Sequence, residues 1–206
     1  TALTKQFDET AYQKHFDAYY EKYPLERFRF LTNYDQLSLW IQSSAPEVLS
    51  VVPAGIDGLG VAHYEIRFRQ PSAGWRVGDQ QFYVDTNGAT YKQNYFSEPA
   101  VNVLDHSGAR VEQGEAIASS RLLSFVGRAV ALAKERGVEV TQIEIPTQSM
   151  RQVYMYGKDI PVVRMTIDRG VEAQIIDMAK ALAFFKAKGE SPSYIDVRTS
   201  GRAFYQ

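Results

Sequence analysis

Residues 61–93 read VAHYEIRFRQPSAGWRVGDQQFYVDTNGATYKQ, and their pattern decides the fold class. The first nine alternate, with Ala62, Tyr64, Ile66 and Phe68 on one side and His63, Glu65, Arg67 and Arg69 on the other. A period of two over that length predicts a half-buried strand of antiparallel type with one wet face. PSAGW (71–75) is short and turn-rich and predicts a junction between two modules. Beyond it, QQFYVDTNGATYKQ (80–93) predicts a hairpin, because Asn87-Gly88 tolerates the positive φ that a tight two-residue turn requires.

Upstream, DETAYQKHFDAYYEKY (8–23) repeats aromatics at spacings of three and four, which predicts an amphipathic helix started by Asp8 and Thr10 and interrupted by Pro24. NYDQLSLWIQSS (33–44) predicts a second helix with Asn33 as its cap and Leu37, Trp40 and Ile41 on one face. EVLSVVP (47–53) reads as a strand, and AGIDGLG (54–60) as the turn after it. Downstream the order is a strand at 101–105, a helix at 115–136, strands at 138–145, 151–157 and 161–167, and a helix at 171–188. The 138–145 strand changes phase between Val140 and Ile143, which predicts a bulge. The predicted class is α+β: two helices on a small sheet, then a mixed or antiparallel sheet with two helices and a C-terminal edge strand.

Composition narrows the chemistry. The 206 residues carry 23 basic and 24 acidic side chains, a net charge of −1, which argues against a cationic nucleic-acid surface spread over the chain. No cysteine is present, which removes disulfides, thiolate nucleophiles, thiolate zinc and iron–sulfur ligation. No segment approaches the roughly 20 apolar residues that span a bilayer. Catalytic motifs are missing too: there is no G-x-S-x-G, no phosphate loop and no His-Glu-x-x-His. His15 and His63 read as surface residues. Asp105-His106-Ser107-Gly108 brings triad residue types together, but neighbours in sequence cannot face one another as a triad does, so it reads as turn chemistry. Asp57 and Asp85 read the same way. Arg67 and Arg69 beside Tyr64 and Phe68 superficially resemble a base-stacking platform. Strand alternation puts the rings in the core and the arginines in solvent, which disfavours nucleic acid. No metal or cofactor is expected.

The end of the chain, SYIDVRTSGRAFYQ (193–206), lacks helical period and reads as a strand. Ile195 and Val197 face inward; Tyr194, Asp196 and Arg198 face the other way. At a sheet's edge such a strand leaves N–H and C=O groups that either need blocking or capture a partner's strand. Arg198 and Arg202 are placed to pair with acidic groups, and Phe204 and Tyr205 offer apolar contact. An edge whose charges merely keep it soluble fits the same pattern.

Three stretches together resemble the extracytoplasmic part of the bacterial cell-division family FtsQ, called DivIB in Gram-positive bacteria. They are YEIRFRQPSAGW (64–75) followed by FYVDTNGATY (82–91), the order of elements across 101–188, and YIDVRTSGRAFY (194–205). The resemblance implies a POTRA domain over 1–71 and the family's β domain over 72–206. A POTRA module begins with a strand, and only TALTKQF precedes the first helix here, so that strand is expected to be short, trimmed or missing. It further implies a cytoplasmic-membrane protein at the division septum, anchored by one N-terminal transmembrane helix ahead of Thr1, with this part outside the cytoplasm. The implied role is a non-catalytic scaffold linking early and late division proteins. It would bind FtsB, and through it FtsL and other divisome proteins, by strand addition. Carried over, the contact falls on Tyr194, Asp196, Arg198, Thr199, Ser200, Gly201, Arg202, Ala203, Phe204 and Tyr205, with Arg198 expected to form a salt bridge to the partner. A POTRA-containing adaptor of protein assembly or secretion is the alternative.

Overall fold

Asp8 starts the first helix: its carboxylate accepts the Thr10 N–H at 2.9 Å and opens α1, Glu9–Lys22. The computed structural model describes residues 3–56, 62–108, 110, 113, 119–149, 151–201 and 204–205. On α1 the spacing of Tyr12, Phe16 and Tyr19 puts all three rings on one buried face. Asn33 Oδ1 accepts the Gln36 N–H and starts α2, Tyr34–Gln42, with Leu37 and Ile41 inward. Strands β1, Val48–Ile56, and β2, Ala62–Phe68, pair antiparallel beneath the helices. Ser38 on α2 ties the layers by accepting the Val51 N–H at 2.9 Å. Pro53 sits inside β1, which a two-stranded sheet tolerates because one edge of each strand needs no ladder partner.

The rest of the described chain builds a nine-stranded mixed sheet. Its strands are β3, Ala73–Val77; β4, Gln80–Val84; β5, Thr90–Tyr91; β6, Asn102–Asp105; β7, Val140–Ile145; β8, Gln152–Gly157; β9, Val162–Thr166; β10, Tyr194–Asp196; and β11, Phe204–Tyr205. Across the sheet they run β11-β10-β9-β8-β7-β6-β3-β4-β5, with β3–β6, β6–β7 and β9–β10 parallel. Helices α3, Ser120–Glu135, and α4, Val171–Lys188, pack on one face. There Trp75, Ile143, Met155 and Met165 meet Ala129, Ile175 and Met178 in a single apolar cluster. Gly189 ends α4 in the left-handed region, φ 71°, where a Cβ would be strained. The fold is therefore α+β with a mixed sheet.

A second cluster holds the N-terminal part: Tyr12, Phe16, Tyr19, Leu37, Ile41 and Phe68, joined by Tyr95 and Phe96 from far along the chain. No strand precedes α1 among the described residues. Instead the N–H groups of Thr4 and Lys5 both donate to the Tyr95 carbonyl, and Phe7 packs edge-on against Tyr12, Phe68 and Tyr95.

Several expectations need correcting. PSAGW is not merely a junction, because Ala73–Val77 is strand β3 and Trp75 is fully buried. Gly74 belongs there because a Cβ would run into Asn102 Oδ1 on the neighbouring strand. The Asn87-Gly88 turn is not a two-residue hairpin. Among the described non-glycine residues only Gln148 and Asp159 have positive φ, so Gly88 alone adopts it here, at 87°, in a longer loop stapled by Asp85 Oδ1 to the Asn87 and Ala89 N–H groups. Arg69 is not solvated, since its guanidinium meets Asp85 at 2.6 Å with both side chains largely buried. The bulge in 138–145 lies between Val140 and Gln142, close to the expected phase change. Residues 115–118 of the expected 115–136 helix lie outside the described residues.

Candidate functional site: the C-terminal sheet edge

Residues 193–206 do not run as one edge strand. Tyr194–Asp196 lies inside the sheet, parallel to β9 through Ile195↔Val163 and antiparallel to β11 through Ile195↔Tyr205 and Asp196↔Phe204. The chain folds back between them, with Gly201 at φ 68°, and the strand left at the edge is β11. A C-terminal edge strand is present, then, but only two residues of the expected segment form it.

The turn leading to that edge is fixed by charge. The Arg198 Nε donates to both Asp196 oxygens, at 2.9 and 3.0 Å, and Nη2 to Oδ2 at 2.5 Å. The Arg198 backbone N–H donates to Oδ1 at 3.1 Å. Burial pushes the Asp196 carboxyl up, but the hydrogen bonds and charge of Arg198 outweigh it, so the group sits below its ordinary value. The expectation that Arg198 reaches out to a partner is therefore corrected: its donors serve Asp196 within the same turn. Arg169, just ahead of α4, holds the same segment, donating Nη1 to the Val197 carbonyl and Nη2 to Asp177 on the helix, both at 2.6 Å. On the sheet face away from the helices, Arg164 lies over the Tyr194 ring at 3.8 Å and near Tyr154 at 5.5 Å. Its Nε is buried with no hydrogen-bond partner among the described residues.

Beside β11 the helix side of the sheet opens into a cleft of about 420 Å³ lined by Asp177, Lys180, Ala181, Phe184, Phe185 and Tyr205. Tyr205 packs edge-on against Phe185, ring centroids 4.8 Å apart, yet remains 56% exposed. Phe184 is 49% exposed at the rim. The sequence had a signal for this cleft. Two consecutive phenylalanines on one helix point about 100° apart, so both cannot face the core. Of the expected contact residues, Thr199, Ser200 and Gly201 form the turn, Phe204 and Tyr205 form the edge, and Arg202 and Ala203 lie outside the described residues.

Elsewhere, among the described residues, Asp105, His106 and His15 are held in separate local contacts. The Asp105 carboxylate is buried and accepts from Trp75 Nε1 at 3.1 Å and from the Ser107 N–H at 2.9 Å, while His106 points to Glu144 at 3.3 Å. His15 Nδ1 meets Ser44 Oγ. A larger cleft of about 710 Å³ lies beside the N-terminal cluster, lined partly by Ile66, Phe68, Asp85 and Phe96. The carboxylates lining it, Glu65 and Asp85, face Arg67 and Arg69. Among the described residues no group of three or more acidic, histidine or cysteine side chains is arranged to hold a metal. No helix of the described residues is long and apolar enough to cross a membrane. No protein-family model matches this chain, and no curated protein matches it either.

Proposed function

We propose that this chain is the extracytoplasmic part of an FtsQ/DivIB-type cell-division protein, with residues 1–71 as its POTRA domain and 72–206 as its β domain. In this reading it is a non-catalytic scaffold of the cytoplasmic membrane at the septum. It captures a strand of FtsB, and FtsL with it, on the open side of β11. One observation carries the reading: β11 ends the sheet, and an apolar cleft roofed by α4 lies directly beside it. Such an edge offers backbone hydrogen bonds worth about 0.5–1.5 kcal/mol net apiece, and the cleft adds a pocket for an anchoring side chain. Arg198 contributes by holding the turn that presents β11, through Asp196.

The test is titration of the chain with the FtsB homologue of the same genome, followed by calorimetry. Along a strand the N–H groups alternate sides, so one of Phe204 and Tyr205 points its N–H away from β10. Proline at that outward position abolishes capture and leaves the thermal midpoint within a few degrees of wild type. Proline at the other loosens the hairpin. Phe184→Asp weakens capture about tenfold or more. No binding of the FtsB homologue, or equal binding by every variant, rejects the reading. Capture of a secretion or assembly substrate strand in its place moves the chain to the adaptor alternative.

A further inference from the structure

The connection between α1 and α2 is the most apolar exposed part of the described surface. Over Pro24–Thr32, PLERFRFLT, Leu25 is 68% exposed, Phe28 57%, Phe30 83% and Leu31 47%. Such residues normally scatter singly over a soluble surface; four within seven positions form a patch that marks an interaction site. The segment is built rather than loose. Its first turn is a 3₁₀ helix, Pro24–Arg27, and the Leu31 N–H donates to the Phe28 carbonyl at 2.7 Å. Thr32 Oγ1 donates to the Glu26 carbonyl at 2.6 Å.

Charge on this tip is sorted by direction. Glu26 is the one acid between Pro24 and Thr32, and its carboxylate is turned inward. It accepts from the Tyr19 hydroxyl at 2.6 Å and from the Asn33 N–H at 2.9 Å. Arg27 and Arg29 point out between the apolar side chains, exposed and without an ion-pair partner among the described residues. Phe28 and Phe30 lie side by side with ring centroids 6.0 Å apart, both more than half exposed. An exposed apolar segment carrying two arginines with no acidic partner among the described residues fits the boundary between acyl chains and anionic headgroups better than it fits a protein groove.

We propose that the α1–α2 tip, residues 24–32, is a membrane-surface anchor. Leu25, Phe28, Phe30 and Leu31 enter the headgroup layer, and Arg27 and Arg29 pair with anionic phospholipid headgroups. It stands on observations separate from the β11 edge and does not depend on the FtsB reading. Anchoring there would fix the orientation of the N-terminal module against a bilayer.

The experiment is co-sedimentation of the chain with vesicles of phosphatidylcholine containing 30% phosphatidylglycerol (~30 mol%), against vesicles of phosphatidylcholine alone, at about 100 mM salt. The anionic vesicles are expected to bind at least tenfold better. Each of Arg27→Glu and Arg29→Glu lowers that binding about fivefold or more, since a basic side chain near an anionic surface contributes on that order. The double variant Phe28→Ser/Phe30→Ser lowers it by about tenfold or more. All four side chains are exposed, so the variants keep the thermal midpoint of the wild type, which separates lost anchoring from lost folding. No binding to the anionic vesicles, or binding that the variants do not change, overturns the proposal. So does self-association in the ultracentrifuge that Phe28→Ser/Phe30→Ser abolishes without any lipid binding, because the tip would then be an interface between copies.

Discussion

The large sheet ends in two edges of equal length, and the molecule treats them in opposite ways. At one end β5 consists of Thr90 and Tyr91, both fully buried. The Tyr91 hydroxyl donates to the Arg69 carbonyl at 3.0 Å, Arg69 pairs with Asp85, and Tyr95 and Phe96 continue into the N-terminal cluster. At the other end β11 consists of Phe204 and Tyr205, and Tyr205 is more than half exposed over an open apolar cleft. A short edge is one way to avoid unwanted pairing. Here shortness is common to both edges, so the difference lies in what covers them. The covered edge joins two modules; the other, which no further strand of the described residues pairs, is the one the proposed reading offers to a partner.

That contrast can be broken at several points. The largest effect belongs to the covered edge. Arg69→Ala leaves Asp85 buried without its cation, and a broken buried pair costs roughly 3–5 kcal/mol. Urea unfolding is expected to show that loss, and a change under about 1 kcal/mol would mean the N-terminal cluster does not hold β5 in place. The same truncation at the open edge, Arg198→Ala, is expected to cost about 1 kcal/mol or less, because the Arg198–Asp196 pair is partly solvated. Equal costs at the two sites would erase the distinction.

Acid sharpens the same comparison. The Asp196 carboxyl is depressed below its ordinary value of 3.8, so its contribution is complete above that value and is lost as pH falls through the lower folded value. Amide protection in 197–201, corrected for the intrinsic exchange rate at each pH, is expected to fall only in that acid window. Protection already lost at neutral pH contradicts the turn lock. The smallest effect on stability is Phe184→Ser, expected within about 0.5 kcal/mol of wild type because the ring is half exposed. Thermal melting checks it, and its loss of partner capture then reports the cleft alone.

Much of this architecture was legible before any coordinates. The helix starts at Asp8 and Asn33, the stop at Gly189 and the bulge after Val140 were readable because local hydrogen-bonding chemistry and phase specify them. Strand β3 was not. Its only large apolar anchor is Trp75, and Gly74 and Arg76 dilute the alternation, while its place depends on Asn102 some thirty positions on. Arg69 looked solvated because strand parity says nothing of an acid from another element. The closing segment looked like one strand because Ile195 and Val197 alternate correctly. Gly201 was the residue that marked the reversal, and Asp196 the one that had already claimed Arg198. The candidate site was thus legible as a location, the C-terminal edge, but its pocket residues on α4 come from tertiary packing.

The central claim is that β11 takes a partner strand. Backbone hydrogen exchange, read by NMR on the full chain with and without the FtsB homologue, tests it most directly. The expected result is new protection at Phe204 or Tyr205 and in the adjoining turn when the partner is added, with Thr90 and Tyr91 protected equally in both states. Unchanged exchange at β11 in a saturated complex, or new protection confined to another surface, contradicts it.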